Sequence, residues 1–249
     1  MKYNKFYETG YQVFENILDK NQINVYKKKL LDVYNHQVKE FGIQNLRSIQ
    51  EENLVRSPFL YDSQFNDMFF SSFAKNIVKD ILGDYAILSL QNGIIIPPKQ
   101  KHHQSFYHRD IIYQDFTSSK PIGINLYYCL DDYSKENGGT TFLPRSHKSD
   151  KFDLNILEET PKVKKGSVIL FDSMVYHRAG TNSSKNIRFG VNNMFTLPFI
   201  KQQINYCHIL EGSIQDENMK KLLGFTSREH LSVEEFRQYR LKRNNKNVK

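Results

Sequence analysis

The chain has 249 residues, of which 39% are hydrophobic, and it carries a formal net charge of +8. This length fits one large domain or two small ones and allows a full hydrophobic core. No apolar run approaches the roughly 20 residues that a membrane-spanning helix needs, so we predict a protein without a membrane span.

The cysteines and the N-terminal residues help to predict the cellular compartment. Cys129 and Cys207 are the two cysteines of the chain, too few for a disulfide framework. Residues 1–5 are not followed by the apolar region of a secretion signal. We therefore predict a reducing, cytoplasmic location.

Much of the excess positive charge lies in the last thirteen residues, 237–249. A nucleic-acid surface would interleave basic residues with stacking aromatic side chains. The sequence does not show that pattern, so we predict a small-molecule partner and no nucleic acid. The sequence leaves the oligomeric state open.

Two amphipathic helices are predicted near the start of the chain. Residues 6–14 have the pattern of a short extended lead-in. Asp19 can cap a helix that runs to about Glu40, because apolar residues recur along it at helical spacing. Residues 42–66 predict a loop, and residues 66–82 predict the second helix.

From Tyr85 the pattern changes to short strands separated by turn residues. Because these strands follow the helices and do not alternate with them, a sandwich or barrel is favoured over a parallel α/β sheet. Strands are predicted at 86–90, 93–96, 105–112, 122–130, 140–143, 162–164, 167–171 and 187–196.

The whole chain is predicted to be a single domain, 1–249. Its mainly β core spans about 85–198, and it has N-terminal helices within 19–82 and a C-terminal helical extension, 200–249. In that extension Ser232 and Glu235 have the spacing of a capping box at the start of a helix.

The candidate metal site rests on His108 and Asp110, which are two residues apart. On a strand, alternate side chains point to the same face, so the imidazole and the carboxylate would enter one cavity. His177 is the best candidate for a third ligand of a two-histidine, one-carboxylate triad, which suits non-haem Fe(II). Arg188 follows on a later predicted strand, and its guanidinium fork suits a carboxylate.

The chain resembles the phytanoyl-CoA dioxygenase family over roughly residues 6–198. The resemblance rests on the His-x-Asp motif at His108, the Asn137 to Gly139 turn, the segment ending in Ser146-His147, and the distal His177 followed by Arg188. It implies a double-stranded β-helix, a jelly-roll or cupin-like barrel with the metal inside one mouth. It also implies Fe(II), 2-oxoglutarate as cosubstrate, and O2.

The resemblance implies specific roles for these residues. His108, Asp110 and His177 would hold Fe(II), and Arg188 would pair with the distal carboxylate of 2-oxoglutarate. Three further side chains are expected to contact the cosubstrate, namely Tyr127, Gln91 and Thr140.

The implied reaction is hydroxylation of a small or carrier-linked organic substrate, with release of succinate and CO2. Desaturation, epimerisation or cyclisation with the same cofactors is the alternative within the enzyme class. A catalytically inactive barrel that serves as a binding module is the alternative outside it. The intact triad and Arg188 favour the enzyme, because a binding module has no need of them.

Two departures from the family pattern bear on the substrate. Arg145 stands where a glycine is usual, and Arg178 follows the distal histidine where small residues are common. Residues 42–66, residues 99–104 and the segment after Pro198 are candidate lids, and the second of these is basic. We therefore expect an anionic or carboxylate-bearing substrate.

Overall fold

The computed structural model describes residues 2–99, 103–111 and 116–246. The chain divides into two units, residues 1–204 and residues 205–249. The single domain predicted over the whole chain stays a prediction.

The helices of the first unit begin where side chains satisfy their free backbone N–H groups. Asp19 accepts a hydrogen bond from Gln22 N, and the Gln22 side chain accepts one from Asp19 N, so α2 starts with a capping box. Ser71 caps α5 through Ala74 N and thereby divides the predicted helix 66–82 in two. These helices are α1 (Asn4–Thr9), α2 (Lys20–Phe41), α3 (Ile43–Ser48), α4 (Asn66–Phe70) and α5 (Ser72–Leu82).

The strands of this unit form two antiparallel sheets. The large sheet has the order β1-β6-β4-β8-β3-β2, and the small sheet pairs β5 with β7. The strands are β1 (Tyr11–Phe14), β2 (Leu54–Arg56), β3 (Ile87–Ile96), β4 (Gly123–Cys129), β5 (Thr140–Phe142), β6 (Val168–Asp172), β7 (His177–Ala179) and β8 (Arg188–Thr196). The predicted loop 42–66 thus contains α3 and β2.

One face of the large sheet carries the helical layer. A Cβ placed on Gly93 of β3 would lie 2.2 Å from Leu30 Cδ1 of α2, so only a residue without a side chain allows this close approach. Ile23, Tyr26 and Val33 of α2 are also buried. The opposite face of the sheet is therefore the one that remains for a cavity.

Two of the predicted strands, 105–112 and 162–164, do not form strands in their described residues. The described part of 105–112 contains the end of a 3-10 turn (His103–Ser105) and one isolated bridge between His108 and His177; Ile112 lies outside the described residues. In 162–164, Val163 forms one bridge with Tyr133. Each segment pairs with its neighbour at one position, which is too short a ladder to extend into a strand.

The second unit contains α6 (Tyr206–Ile209), α7 (Glu217–Leu222) and α8 (Val233–Lys246). Ser232 Oγ accepts a hydrogen bond from Glu235 N at 3.0 Å, as its spacing predicts. Within the described ranges, every helix is too short or too polar to cross a lipid bilayer.

Candidate active site

The three predicted metal ligands converge. His177 Nε2 lies 3.6 Å from Asp110 Oδ1, and His108 Nε2 lies 3.8 Å from the same oxygen. One ligand atom from each residue falls within 4.8 Å of the others. Donors that share one ion at bond lengths of about 2.0–2.2 Å have separations of this order.

The backbone holds these ligands in place. His108 N donates to His177 O and His177 N donates to His108 O, both at 3.0 Å. Asp110 N donates to Ser173 O, also at 3.0 Å. The two segments that carry the ligands are therefore tied to each other by main-chain hydrogen bonds.

The histidine rings present the correct nitrogen. His108 Nδ1 lies 3.0 Å from Phe106 O and His177 Nδ1 lies 3.0 Å from Val175 O. Because a carbonyl oxygen only accepts, each Nδ1 carries the hydrogen and each Nε2 has a free lone pair. His108 Nε2 is buried without a hydrogen-bond partner among the described residues. Burial lowers the pKa of His177 to about 4, with Asp110 opposing this, so the ring is neutral at pH 7. The donor set fits a divalent metal ion.

Asp110 is oriented by a residue that the sequence analysis missed. Asn125 Nδ2 donates to Asp110 Oδ2 at 2.7 Å and to Ser173 Oγ at 3.1 Å. Asn192 Nδ2 in turn donates to Asn125 Oδ1 at 2.8 Å. The alternation of Asn125 with Tyr127 on β4 was the available sign that Asn125 lies on the cavity side of the sheet.

Arg188 is a buried cation with free donors. Its side chain is 2% exposed, and its Cζ lies 4.2 Å from the ring centre of Tyr133. Nε and Nη1 are buried and have no hydrogen-bond partner among the described residues. An unpaired buried charge is costly, so the geometry calls for an anion at this guanidinium.

The triad and Arg188 line one open cavity between the two sheets. Tyr127 and Thr140, predicted to contact the cosubstrate, line it as well. Its walls are formed by Leu54, Arg56, Leu90, Asn92, Ile94, Gln104, His108, Asp110, Tyr127, Thr140, Phe171, His177, Ala179, Arg188 and Asn192.

The structure does not place Gln91 at this cavity. Gln91 is 0% exposed; its Oε1 accepts from Phe59 N, and its Nε2 donates to Phe65 O and Asn193 Oδ1. Its neighbours Leu90 and Asn92 line the cavity instead. The proposed contact between Gln91 and 2-oxoglutarate therefore needs correction: its amide is fully engaged by Phe59, Phe65 and Asn193 on the other side of β3.

The two arginines that depart from the family pattern, Arg145 and Arg178, are paired with carboxylates. Arg145 pairs with Glu8 and Arg178 pairs with Glu158, each at 2.7 Å, and neither arginine lines the cavity. Of the candidate lids, residues 42–66 contribute Leu54 and Arg56, and residues 99–104 contribute Gln104; residues 100–102 lie outside the described part. Arg56 also pairs with Glu51.

Comparison with known proteins agrees with this geometry. The model of the phytanoyl-CoA dioxygenase (PhyH) family matches residues 6–190. The uncharacterized protein Rv1501 of Mycobacterium tuberculosis is 30% identical over 239 residues, which cover 92% of this chain and 88% of that protein.

Two solved structures share the fold. The epimerase SnoN from nogalamycin biosynthesis, in complex with Fe3+, alpha ketoglutarate and nogalamycin RO, has a TM-score of 0.60 at 16% identity, over 85% of this chain and 90% of that chain. EctD from S. alaskensis, with 2-oxoglutarate and 5-hydroxyectoine, has a TM-score of 0.63 at 16% identity, over 80% of this chain and 76% of that chain. The predicted double-stranded β-helix is thereby confirmed.

Proposed function

The chain belongs to the phytanoyl-CoA dioxygenase family of Fe(II)- and 2-oxoglutarate-dependent dioxygenases, and we propose that it hydroxylates a small organic substrate in the cavity between its two sheets. The observation that carries this proposal is the convergence of the His108–Asp110–His177 triad and the unpaired Arg188 on one cavity.

We assign the metal to the triad. His108 and His177 would bind Fe(II) through Nε2, and Asp110 would bind through Oδ1 while Asn125 holds its other oxygen. Bound iron and 2-oxoglutarate would supply the oxidising chemistry, in which O2 and 2-oxoglutarate are consumed and succinate and CO2 are released. Phe171, whose ring centre lies 4.8 Å from that of His177, gives the cavity an apolar wall beside this histidine.

We assign the distal carboxylate of 2-oxoglutarate to Arg188, whose fork can make two parallel hydrogen bonds to a carboxylate. Tyr133 Oη lies 2.9 Å from Phe189 O and donates to it, because that carbonyl only accepts. Tyr127 Oη lies 3.0 Å from Tyr133 Oη, so its own hydrogen is free to turn toward either that oxygen or the cosubstrate. Thr140, on the facing sheet, offers a hydroxyl to the same cavity.

An anionic substrate remains our proposal, with Arg56 as the residue that would meet it. Arg56 is the basic residue other than Arg188 among the described residues that line the cavity. The Arg56 guanidinium forms an ion pair with the Glu51 carboxylate. An anionic substrate would therefore compete with Glu51 for Arg56. Cys129 and Cys207 are free and buried, which fits the cytoplasmic location that we propose.

The test of this function is His177→Ala, with His36→Ala as the matched control on an exposed part of α2. Loss of one of three protein ligands should lower the iron content and abolish conversion of 2-oxoglutarate to succinate. His36→Ala should retain both. Full succinate formation by the His177 variant would remove His177 from the site and with it the proposed triad.

A further inference from the structure

The tripeptide Tyr-His-Arg occurs twice in the chain, at residues 107–109 and at residues 176–178, and each copy carries one histidine of the triad. His108 and His177 are antiparallel partners that exchange both main-chain hydrogen bonds, each at 3.0 Å. In an antiparallel pair, the residue before one partner lies opposite the residue after the other. The tyrosine of each copy therefore lies opposite the arginine of the other copy.

The side chains of these facing residues are in contact. Arg178 Cζ lies 5.2 Å from the ring centre of Tyr107, and Arg109 Cζ lies 4.3 Å from the ring centre of Tyr176. A guanidinium within about 6 Å of an aromatic ring centre is attracted by the negative face of the ring. The Phe152 ring joins the two pairs, because its centre lies 5.9 Å from that of Tyr107 and 4.7 Å from that of Tyr176. These side chains thus form one continuous stack.

Hydrogen bonds hold the polar ends of this stack. Glu158 Oε2 accepts from Tyr107 Oη at 2.6 Å and from Arg178 Nη2 at 2.7 Å, so a single carboxylate joins both members of the first pair. Arg109 Nη2 donates to Ser146 O at 2.8 Å. We call the stacked side chains and this carboxylate the clamp, and it consists of Tyr107, Arg109, Phe152, Glu158, Tyr176 and Arg178.

The clamp lies on the opposite side of the ligand segments from the metal site. His108, Asp110 and His177 line the cavity, whereas no residue of the clamp does. This follows from the alternation of side chains along an extended chain, in which neighbours point to opposite faces. The clamp therefore touches neither the metal nor a molecule in the cavity, and it acts on the ligands through their backbone.

We propose that the clamp positions His108 and Asp110 for the metal by tying their segment to β7. β7 is anchored by its pairing with β5 at three positions, whereas the described residues around His108 pair with β7 at that one position. Facing side-chain pairs stabilise such a pairing, and here one pair lies on each side of the two histidines. The inference rests on the proposed function in one respect: it takes the triad as a metal site.

The clamp gives Arg178 a role other than substrate binding. Its guanidinium is held by Glu158 and contacts the Tyr107 ring, outside the cavity. A small residue at this position, which is common in the family, would leave Tyr107 without its facing cation. Tyr107 and Arg178 thus act as a pair, and a change in either one alone should disturb the metal ligands.

The test measures how fast Co(II), a coloured probe for an Fe(II) site, leaves the complete chain when excess EDTA is added. The variants are Tyr107→Arg, Arg178→Tyr and the double exchange of both residues, all at half-buried positions. Each single exchange sets two like side chains opposite each other. The double exchange restores a facing tyrosine and arginine, so it separates loss of the pair from loss of either side chain.

We expect each single variant to release Co(II) about tenfold faster than the wild type, since groups beyond the ligands typically change metal affinity by about 10–100-fold. The visible absorption bands of Co(II), which report ligand geometry, should shift as well. The double exchange should return both the rate and the bands toward those of the wild type. Arg145→Tyr is the matched control, because it breaks another arginine–glutamate pair of 2.7 Å and should change neither.

A clamp that only stabilises the fold would lower the free energy of unfolding and leave the Co(II) bands and release rate of the folded protein unchanged. That result, or a double exchange that releases Co(II) as fast as the single variants, would overturn the proposal. If a single variant fails to fold, Glu158→Ala takes its place, and unchanged Co(II) release there has the same meaning. A wild type that takes up no Co(II) would instead refute the proposed metal site, and with it the role of the clamp.

Discussion

Substitution of Arg188 should affect binding of 2-oxoglutarate without affecting binding of the metal. Arg188→Ala should raise the Kd for 2-oxoglutarate strongly, because loss of one partner of a buried charge pair costs about 2–5 kcal/mol. The iron content should stay near that of the wild type, since the triad lies on other segments. Arg188→Lys should recover part of the affinity, because an ammonium lacks the guanidinium fork. Titration of each variant with 2-oxoglutarate measures this, and an unchanged Kd would point to Arg56 instead.

Asp172, which is not among the residues that line the cavity, should make stability depend on pH. Its side chain is 4% exposed, and burial raises its pKa from 3.8 to about 7, although Met174 N donates to Oδ1 at 2.8 Å and Arg109 opposes the shift. Between these values the folded protein holds a proton that the unfolded chain has released. The free energy of unfolding should therefore fall as pH rises from about 4 to about 7.

Asp172→Asn should remove that dependence and keep the hydrogen bond from Met174 N. At pH 8 the variant should be more stable than the wild type by up to about 4 kcal/mol, and near pH 4 the two should converge. Denaturant unfolding across this pH range measures the difference, with exposed Asp153→Asn as the control. Parallel pH curves for wild type and the Asp172 variant would contradict the expected titration.

At the scale of elements, β8 shows the alternation expected of a strand. Arg188 lines the cavity, and a Cβ on Gly190, two residues on, would lie 2.6 Å from Tyr127, which lines the same cavity. The expectation for Gln91 did not use this alternation. On β3, Leu90 and Asn92 line the cavity, so Gln91 between them faces the other side of the sheet.

The triad itself was predictable because histidine and aspartate are metal-ligand residue types and His108 and Asp110 are two residues apart, although the strand expected around His108 does not form. The backbone bonds that hold it, from His108 to His177 and from Asp110 to Ser173, join segments far apart in sequence. Asn125 and Asn192 were not predicted. Alternation with Tyr127 could have placed Asn125 on the cavity side, but its contacts with Asp110 and Asn192 join segments far apart in sequence.

Gly190 of β8 sets the space for the two tyrosines beside Arg188. A Cβ at this position would lie 2.3 Å from Tyr133 Oη and 2.6 Å from Tyr127 Oη. Gly190→Ala should therefore displace both hydroxyls, destabilise the fold by about 1–3 kcal/mol and weaken 2-oxoglutarate binding. Thermal unfolding and cosubstrate titration are the measurements.

A second substitution, Tyr133→Phe, tests whether the clash with the tyrosine hydroxyl causes the effect of Gly190→Ala. Tyr133→Phe removes the atom closest to the added methyl group, so the double variant should regain part of the stability that Gly190→Ala loses. If Gly190→Ala unfolds and binds 2-oxoglutarate as the wild type does, the tyrosines are free to move and do not define the pocket.

For the whole molecule, the division into two units gives a direct expectation. All described residues assigned to the metal, the cosubstrate and the substrate lie within residues 1–204. A chain that ends after Ile204 should therefore bind iron and 2-oxoglutarate with affinities close to those of the full chain. Metal analysis and cosubstrate titration of the two chains test this. Loss of either affinity in the shorter chain would show that residues 205–249 help to build the site.

The main-chain hydrogen bonds between His108 and His177 also bear on how the protein competes for its metal in the cell. Because the backbone places the donors, an incoming ion does not have to organise them, and other first-row divalent ions meet the same arrangement. Imidazole and carboxylate ligands generally bind cobalt, nickel, copper and zinc more tightly than iron. Correct loading is therefore decided by which ions the surroundings make free, and protein produced in zinc-rich or nickel-rich medium should emerge mismetallated.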